Sequence, residues 1–330
     1  MAYENPEEIL NLAHSFMGAR ILLTGAELNL FSLLQNRSMT AAEIAEQADM
    51  ALRPLVILLD ALTALGLLEK DNGRYGCAPS VSDLLAADTS DTVLPMVLHM
   101  AHLWRPWSAL TNIVKGKEPF PDQNSEIKSE EELLAFIGAM HVVAKKRAKD
   151  IIACVKPDEI KNLLDVGGAS GTYTIAFLQA AADMKATLFD QPEVMDMARD
   201  RLAKEGVLDR VNLMPGDFYR DELPSGHELA FLSAIIHQNS PTQNLDLYRK
   251  VFRALVSGGR IVIRDHIMTE DRTQPKEGAI FAVNMLVATQ GGGTYTYDEI
   301  RNDLEQAGFQ RISLLRKGEH MDGLVEAFKP

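Results

Sequence analysis

The sequence predicts an α/β protein in which a doubly wound, mostly parallel seven-stranded sheet follows an α-helical N-terminal domain. Three observations carry that expectation. From about Asn162, short apolar runs (NLLDVG, ATLFD, VNLMPGD, LAFLSAII, GRIVIRD) alternate with helical segments, as in a parallel sheet covered on both faces. The last two runs, ISLLRKG and DGLVEAFKP, are separated by only a short turn, so the sheet is expected to finish in an antiparallel C-terminal hairpin. Residues 1–100 instead keep helical spacing, with one hairpin signal.

In chain order, Met39 to Pro79 resembles a winged helix. Thr40 stands where a helix cap is wanted, a turn follows around Asp49, a second, apolar helix runs to Leu68, and DNG closes a wing. Winged helices often bind DNA, which makes a cofactor-sensing regulator a rival reading. Charge speaks against it. Residues 1–100 hold 5 Lys/Arg against 13 Asp/Glu, and the second helix offers Arg53 and then little but Leu, Val, Ile and Ala. Such a helix suits packing against protein, most simply in a homodimer.

Residues 101–157 read as a helical connector. AHLWRPWSALTNIVKG is followed by the acidic joint KEPFPDQNSEIKSEE, then by LLAFIGAMHVVAKKRAKDII, with Leu133, Phe136, Ile137, Met140 and Ala144 at helical spacing. Core packing is the ordinary reading of that stripe. A solvated helix face is the ordinary reading of Lys145, Lys146, Arg147 and Lys149. The expected domains are therefore 1–100, 101–157 and 158–330.

Bulk properties exclude several functions. Of 330 residues, 46% are hydrophobic and 24% charged, as in a folded chain, and the length favours more than one core. A net charge of −13 argues against a nucleic-acid partner, because phosphate binding needs a basic face. No apolar stretch is long enough to span a bilayer, and MAYENPEEIL lacks the basic and apolar regions of a secretory signal. Cys77 and Cys154 lie far apart and offer neither a disulfide framework nor zinc spacing, which fits a cytoplasmic location. His266 has no third ligand at useful spacing beside Asp265, so no metal is expected.

LLDVGGASGTYTIAFLQ, from Leu163 to Gln179, reads as strand, glycine turn and helix, the place where doubly wound folds bind nucleotides. The dinucleotide pattern G-x-G-x-x-G fails, because from Gly167 its later places hold Ala169 and Thr172, and there is no P-loop lysine. What fits is an acid, Asp165, followed by Gly167, Gly168 and Gly171. A carboxylate there suits a ligand with hydroxyls and an ammonium group better than a pyrophosphate. Asp190, followed by Gln191, ends the next strand, where a carboxylate can accept from both ribose hydroxyls. Gly216-Asp217-Phe218 ends the third, where Asp217 can accept from an adenine amino group while Phe218 packs the base. A cap or a turn would explain any one of these acids; three at successive strand ends point to a nucleoside. The next run, LSAIIHQNSP, breaks off at His237.

Asp165-Val-Gly-Gly, Asp190, Gly216-Asp217-Phe218 and the terminal hairpin together resemble a class I S-adenosylmethionine-dependent methyltransferase, with its Rossmann-like sheet. With the winged-helix front, HLWRPW, GGRIVIRDHIM and VNMLVATQGGGTYTYDEIRNDLEQAGF, nearly the whole chain is similar to the dimeric small-molecule O-methyltransferases of the caffeate and hydroxyindole type, in bacterial form. That resemblance implies S-adenosylmethionine as cofactor, a homodimer through the N-terminal domain, and a small aromatic or polyketide-like acceptor.

It also implies His237 as general base, with Asp265 on its second ring nitrogen. The chemistry agrees. A phenol titrates near about 10 and histidine near about 6.5, so a neutral imidazole in reach can take the proton as the new bond forms. Acceptor-facing roles are implied for Asn284, Phe136, Met140 and His141, and for Trp104 and Trp107. Two departures stand out: Thr294 where the family has a second acid, and Gln238-Asn239 where plant members have Asp-Trp. Methylation of carbon or nitrogen, or another use of the cofactor, therefore stays open as an alternative.

Overall fold

The computed structural model describes residues 4–87, 89, 91–117 and 130–330, so most of the acidic joint KEPFPDQNSEIKSEE lies outside the described residues. The chain forms two compact units, Met1–Trp104 with Ser129–Val142, and Arg105–Lys128 with Val143–Pro330.

The first unit contains the expected winged helix. Thr40 caps the helix Ala41–Gln47 through a reciprocal pair: its side chain accepts from Glu43 N–H, and the Glu43 carboxylate accepts from Thr40 N–H. The wing turns at Asn72 and Gly73, with φ of 48° and 77°, the left-handed pair a tight hairpin needs. Its strand Arg74–Gly76 lies between Met39–Thr40 and Glu69–Asp71, antiparallel to both. The second helix, Leu52–Ala64, stops short of the expected Leu68. Gly66 turns left-handed at φ 73°, and Leu67 N–H closes on the Leu62 carbonyl at 2.9 Å. Its Leu55, Leu59 and Leu62 are buried with Phe31, Ile44 and Tyr75, whereas Ile9, Leu10, Leu12, Phe16 and Met17 of the helix Pro6–Glu27 stay exposed.

The stripe expected over 133–144 does form a helix, Glu130–Lys145, with Ile137 and Ala144 buried. The continuous helix expected through KKRAKDII does not form. The chain turns at Lys146 and Arg147, and a second helix runs over Ala148–Val155.

The second unit holds a seven-stranded sheet: β1 Asn162–Val166, β2 Lys185–Asp190, β3 Val211–Pro215, β4 His227–Ser233, β5 Leu255–Asp265, β6 Gln310–Arg316 and β7 Gly323–Phe328. The spatial order is β6-β7-β5-β4-β1-β2-β3. β1 to β5 are parallel, and β7 runs antiparallel to both β5 and β6, as the terminal hairpin required. The central strands are largely apolar and buried: Leu164, Leu232 and Ile263 share one core with Leu247 and Val251 of the helix Pro241–Ala254 and with Ile300 and Leu304 of the helix Tyr297–Gln306.

Two strand ends differ from expectation. The run LSAII is strand only to Ser233; Ala234 turns left-handed at φ 59°, and Ile236–Gln238 form one turn of 3-10 helix. β3 stops at Pro215, where the backbone N–H is missing, and Asp217 stands beyond it. The serine and proline after His237 start the next helix: Ser240 makes a capping box with Gln243, and Pro241 occupies the first turn. Among the described residues, no helix is long and apolar enough to cross a membrane, and no group of three His, Cys, Asp or Glu is placed to hold a metal ion.

Candidate active site

The glycine loop after β1 is shaped by close approach. Gly167 has φ 69°, where any side chain is strained, and a Cβ there would also lie 2.3 Å from Ile235 Cδ1. Gly168 continues the loop, and Gly171, at φ 78°, caps the helix Thr172–Ala180. Asp165 is 1% exposed and lies beneath the loop, where its Oδ2 accepts from the Thr174 hydroxyl at 2.6 Å. Burial pushes its pKa up to about 6, the Thr174 hydrogen bond working against that rise and the charge of Asp190 adding to it.

Asp190 ends β2 facing the same loop. Its Oδ2 accepts from Ala169 N–H at 2.7 Å and its Oδ1 from Gln191 N–H at 2.7 Å, so the backbone fixes both oxygens and leaves a lone pair on each. Burial raises this carboxyl as well, against the pull of those two N–H groups. Gly216 donates to the Asp190 carbonyl at 2.9 Å and brings the third segment alongside. There Asp217 Oδ1 accepts from Tyr219 N–H at 2.9 Å, and the Phe218 and Tyr219 ring centres are 4.5 Å apart. The three acids thus come to one sheet edge, Asp190 and Asp217 half-buried, with Arg220 Nε 3.5 Å from Asp217 Oδ2, and Asp165 enclosed under the loop.

Further along that edge, His237 Nδ1 lies 3.0 and 2.9 Å from Asp265 Oδ1 and Oδ2. Burial works to raise the Asp265 carboxyl, but the charge and hydrogen bond of His237, with His266 beside them, hold it below its ordinary value. An ionised Asp265 accepts, so Nδ1 is the ring nitrogen that carries a proton in this pair. Asp265 Oδ1 also accepts from His266 N–H at 2.8 Å, and the Phe281 ring stands edge-on to His237 at 4.8 Å. Thr294, where a second acid was expected, is buried. Its segment meets the histidine through backbone instead: Gly293 N–H donates to the His237 carbonyl at 2.8 Å.

The remaining residues divide between the units. Asn284, half-buried on the helix Lys276–Ala288, accepts from Trp107 Nε1 at 2.8 Å. Trp104, Phe136, Met140 and His141 belong to the first unit, where each is half-buried; Arg20 stacks over Trp104 at 5.4 Å, and His99 meets Phe136 edge-on at 5.4 Å.

Residues 115–310 match the model of the O-methyltransferase domain, and residues 10–88 match that of the O-methyltransferase dimerisation domain. The chain belongs to the O-methyltransferase family. As a member it is an S-adenosylmethionine-dependent methyltransferase. It is 30% identical over 316 residues to a 3-hydroxy-5-methyl-1-naphthoate 3-O-methyltransferase from Streptomyces sahachiroi, covering 94% of this chain and 91% of that one. An L-tyrosine C(3)-methyltransferase from Streptomyces lavendulae is 27% identical, over 92% and 87% of the two chains. The same fold is seen in the crystal structure of human N-acetylserotonin methyltransferase in complex with S-adenosylmethionine, with a TM-score of 0.83, 24% identity and coverage of 100% and 99%.

Several contacts around this O-methyltransferase site had no sequence signal. Thr174 beneath Asp165 reads as any polar residue in a helix. The Trp107–Asn284 bond joins residues 177 apart, and the buried Asn239 reads as a loop residue.

Proposed function

We propose that the enzyme moves the methyl group of S-adenosylmethionine to a hydroxyl of a small aromatic or polyketide-like acceptor, with His237 as general base and Asp265 as its orienting carboxylate. The observation that carries this reading is the buried pair at 2.9 Å, which leaves Nε2 free at the carboxyl edge of the sheet. Beside it, Asp190 has lone pairs for the ribose hydroxyls, Asp217 and Phe218 stand ready for the adenine, and Gly167, Gly168, Gly171, Gln191 and Gly216 form the bed of the nucleoside. The cofactor supplies a sulfonium-activated methyl carbon. The protein's part is to hold the acceptor oxygen in line with that carbon and to receive its proton on Nε2, while Asp265 stabilises the imidazolium that results.

The acceptor class is supported by the naphthoate methyltransferase relative and by the aromatic side chains Phe281 and Trp107 near the polar Asn284. The relative named for tyrosine C(3) methylation favours a second reading, transfer to a ring carbon. For the first unit, the exposed apolar side chains of the helix Pro6–Glu27 and the match over residues 10–88 support a homodimer through the segment 1–100. Sedimentation of the purified chain tests that part.

For the chemistry, a hydroxynaphthoate acceptor is incubated with S-adenosylmethionine and the product is read by NMR, a methoxy signal supporting transfer to oxygen and a ring methyl the second reading. His237→Ala is expected to abolish turnover while S-adenosylhomocysteine still binds by calorimetry. Near-normal turnover in that variant would remove the base role.

A further inference from the structure

His237 rides on one turn of 3-10 helix, Ile236–Gln238, between β4 and the helix Pro241–Ala254. Asp265 orients the ring, yet nothing in that pair decides where the turn itself stands. The turn is held by Gly293 N–H on the His237 carbonyl and by Asn239, which is 0% exposed. Its Oδ1 accepts from the Tyr219 hydroxyl at 2.6 Å, and its Nδ2 donates to Asn244 Oδ1 at 3.0 Å. Asn244, also buried, donates back to the Ile236 carbonyl at 3.0 Å. The Tyr295 hydroxyl donates to the Asn239 carbonyl. Both ends of the histidine turn are therefore tied to one largely buried amide network, in which a lost bond leaves its partner unsatisfied.

Tyr219 belongs to the other half of the edge. Its amide donates to Asp217 and its ring lies against Phe218, and buried Lys250 donates to the Phe218 and Tyr219 carbonyls at 2.8 and 3.1 Å. The hydroxyl bonded to Asn239 thus sits on the chain neighbour of the two residues assigned to adenine.

We propose that Asn239 is a positioning residue which, through the Tyr219 hydroxyl, couples occupation of the Asp217–Phe218 segment by a nucleoside to the placement of the His237 imidazole. Its effect on turnover rests on the base role proposed above; the coupling itself does not.

The test uses Tyr219→Phe, which keeps the ring and removes only the hydroxyl, beside Asn239→Ala. S-adenosylhomocysteine is titrated into the full-length protein while the His237 ring signals are followed by 15N NMR. In the unmodified protein the ligand is expected to move those signals, and in Tyr219→Phe the movement shrinks by about half or more. In the same variant kcat falls about tenfold, the worth of one buried hydrogen bond, while S-adenosylhomocysteine affinity stays within about threefold. Wild-type ligand-induced movement together with wild-type kcat in Tyr219→Phe would overturn the proposal, even if Asn239→Ala fails to fold. Should His237→Ala retain turnover, the base role fails, but a lost signal movement in Tyr219→Phe would still support the coupling.

Discussion

At the ends of β1 and β2, acidic side chains are held by one short loop-and-helix segment and by the next residue. Asp165 meets Thr174 nine residues on, and Asp190 meets the amide of Gln191 next to it and that of Ala169, 21 residues back in the glycine loop. At the ends of β4 and β5 the arrangement is reversed. His237 is held by Asp265 from 28 residues away, and Asn239 is held by Tyr295 from 56 residues away. The proposed cofactor half of the edge is thus built mainly on one glycine loop that a short motif can encode. The proposed base half is a tertiary construction, in which the bonds to Asp265 and Tyr295 depend on strands and loops arriving together. Changes in the first half should therefore act on binding and local stability, and changes in the second on the chemical step.

The largest expected effect would break the second half alone. In Asp265→Asn the amide can donate to Nδ1, which moves the ring proton to Nε2 and removes the base lone pair. Turnover should fall by about 100- to 1000-fold with S-adenosylhomocysteine affinity within about threefold, measured by steady-state kinetics and calorimetry. A large loss of affinity would show that the two halves are not separable.

The next expectation concerns the first half and pH. In the folded, cofactor-free chain the Asp165 carboxyl is raised from 3.8 to about 6, so it keeps its proton where the unfolded chain has already released it. Its contribution to stability is fully present below 3.8 and is lost as pH rises through about 6. A shift of about two units corresponds to about 3 kcal/mol, lost between pH 4 and 7. Denaturant unfolding across that range should show the slope, and Asp165→Asn should flatten it.

Gly167→Ala should follow at about 2 kcal/mol. The left-handed φ and the overlap with Ile235 both oppose a Cβ. S-adenosylhomocysteine affinity is expected to drop about 30-fold by calorimetry. Since Ile235 precedes His237 by two residues, kcat measured at saturating cofactor sharpens the comparison: a parallel fall in kcat marks the point where the two halves touch.

Trp107→Phe should have the smallest effect. It removes one hydrogen bond to Asn284, worth about 1 kcal/mol. If Asn284 faces the acceptor, the acceptor KM should change by about fivefold while the cofactor KM stays unchanged.

The sequence by itself determined the features that depend on neighbours along the chain. Alternating apolar runs specified the parallel sheet, Thr40 specified a helix start, and the glycine pattern with Asp165, Asp190 and Asp217 marked the proposed nucleoside edge. Even there, stops were misplaced where backbone conformation rather than composition ended an element, as at Gly66 and Ala234.

Only the tertiary structure decided which polar groups share a buried space. His237 with Asp265, Trp107 with Asn284, and Asn239 between Tyr219 and Asn244 are long-range or cross-element bonds between residues that look ordinary in sequence. Periodicity encodes which face of an element is apolar, because burying that face dominates folding. It does not encode which two polar atoms meet once those faces are buried. That follows from strand register and loop path, and so the proposed base could be named from resemblance while the buried network around it could not.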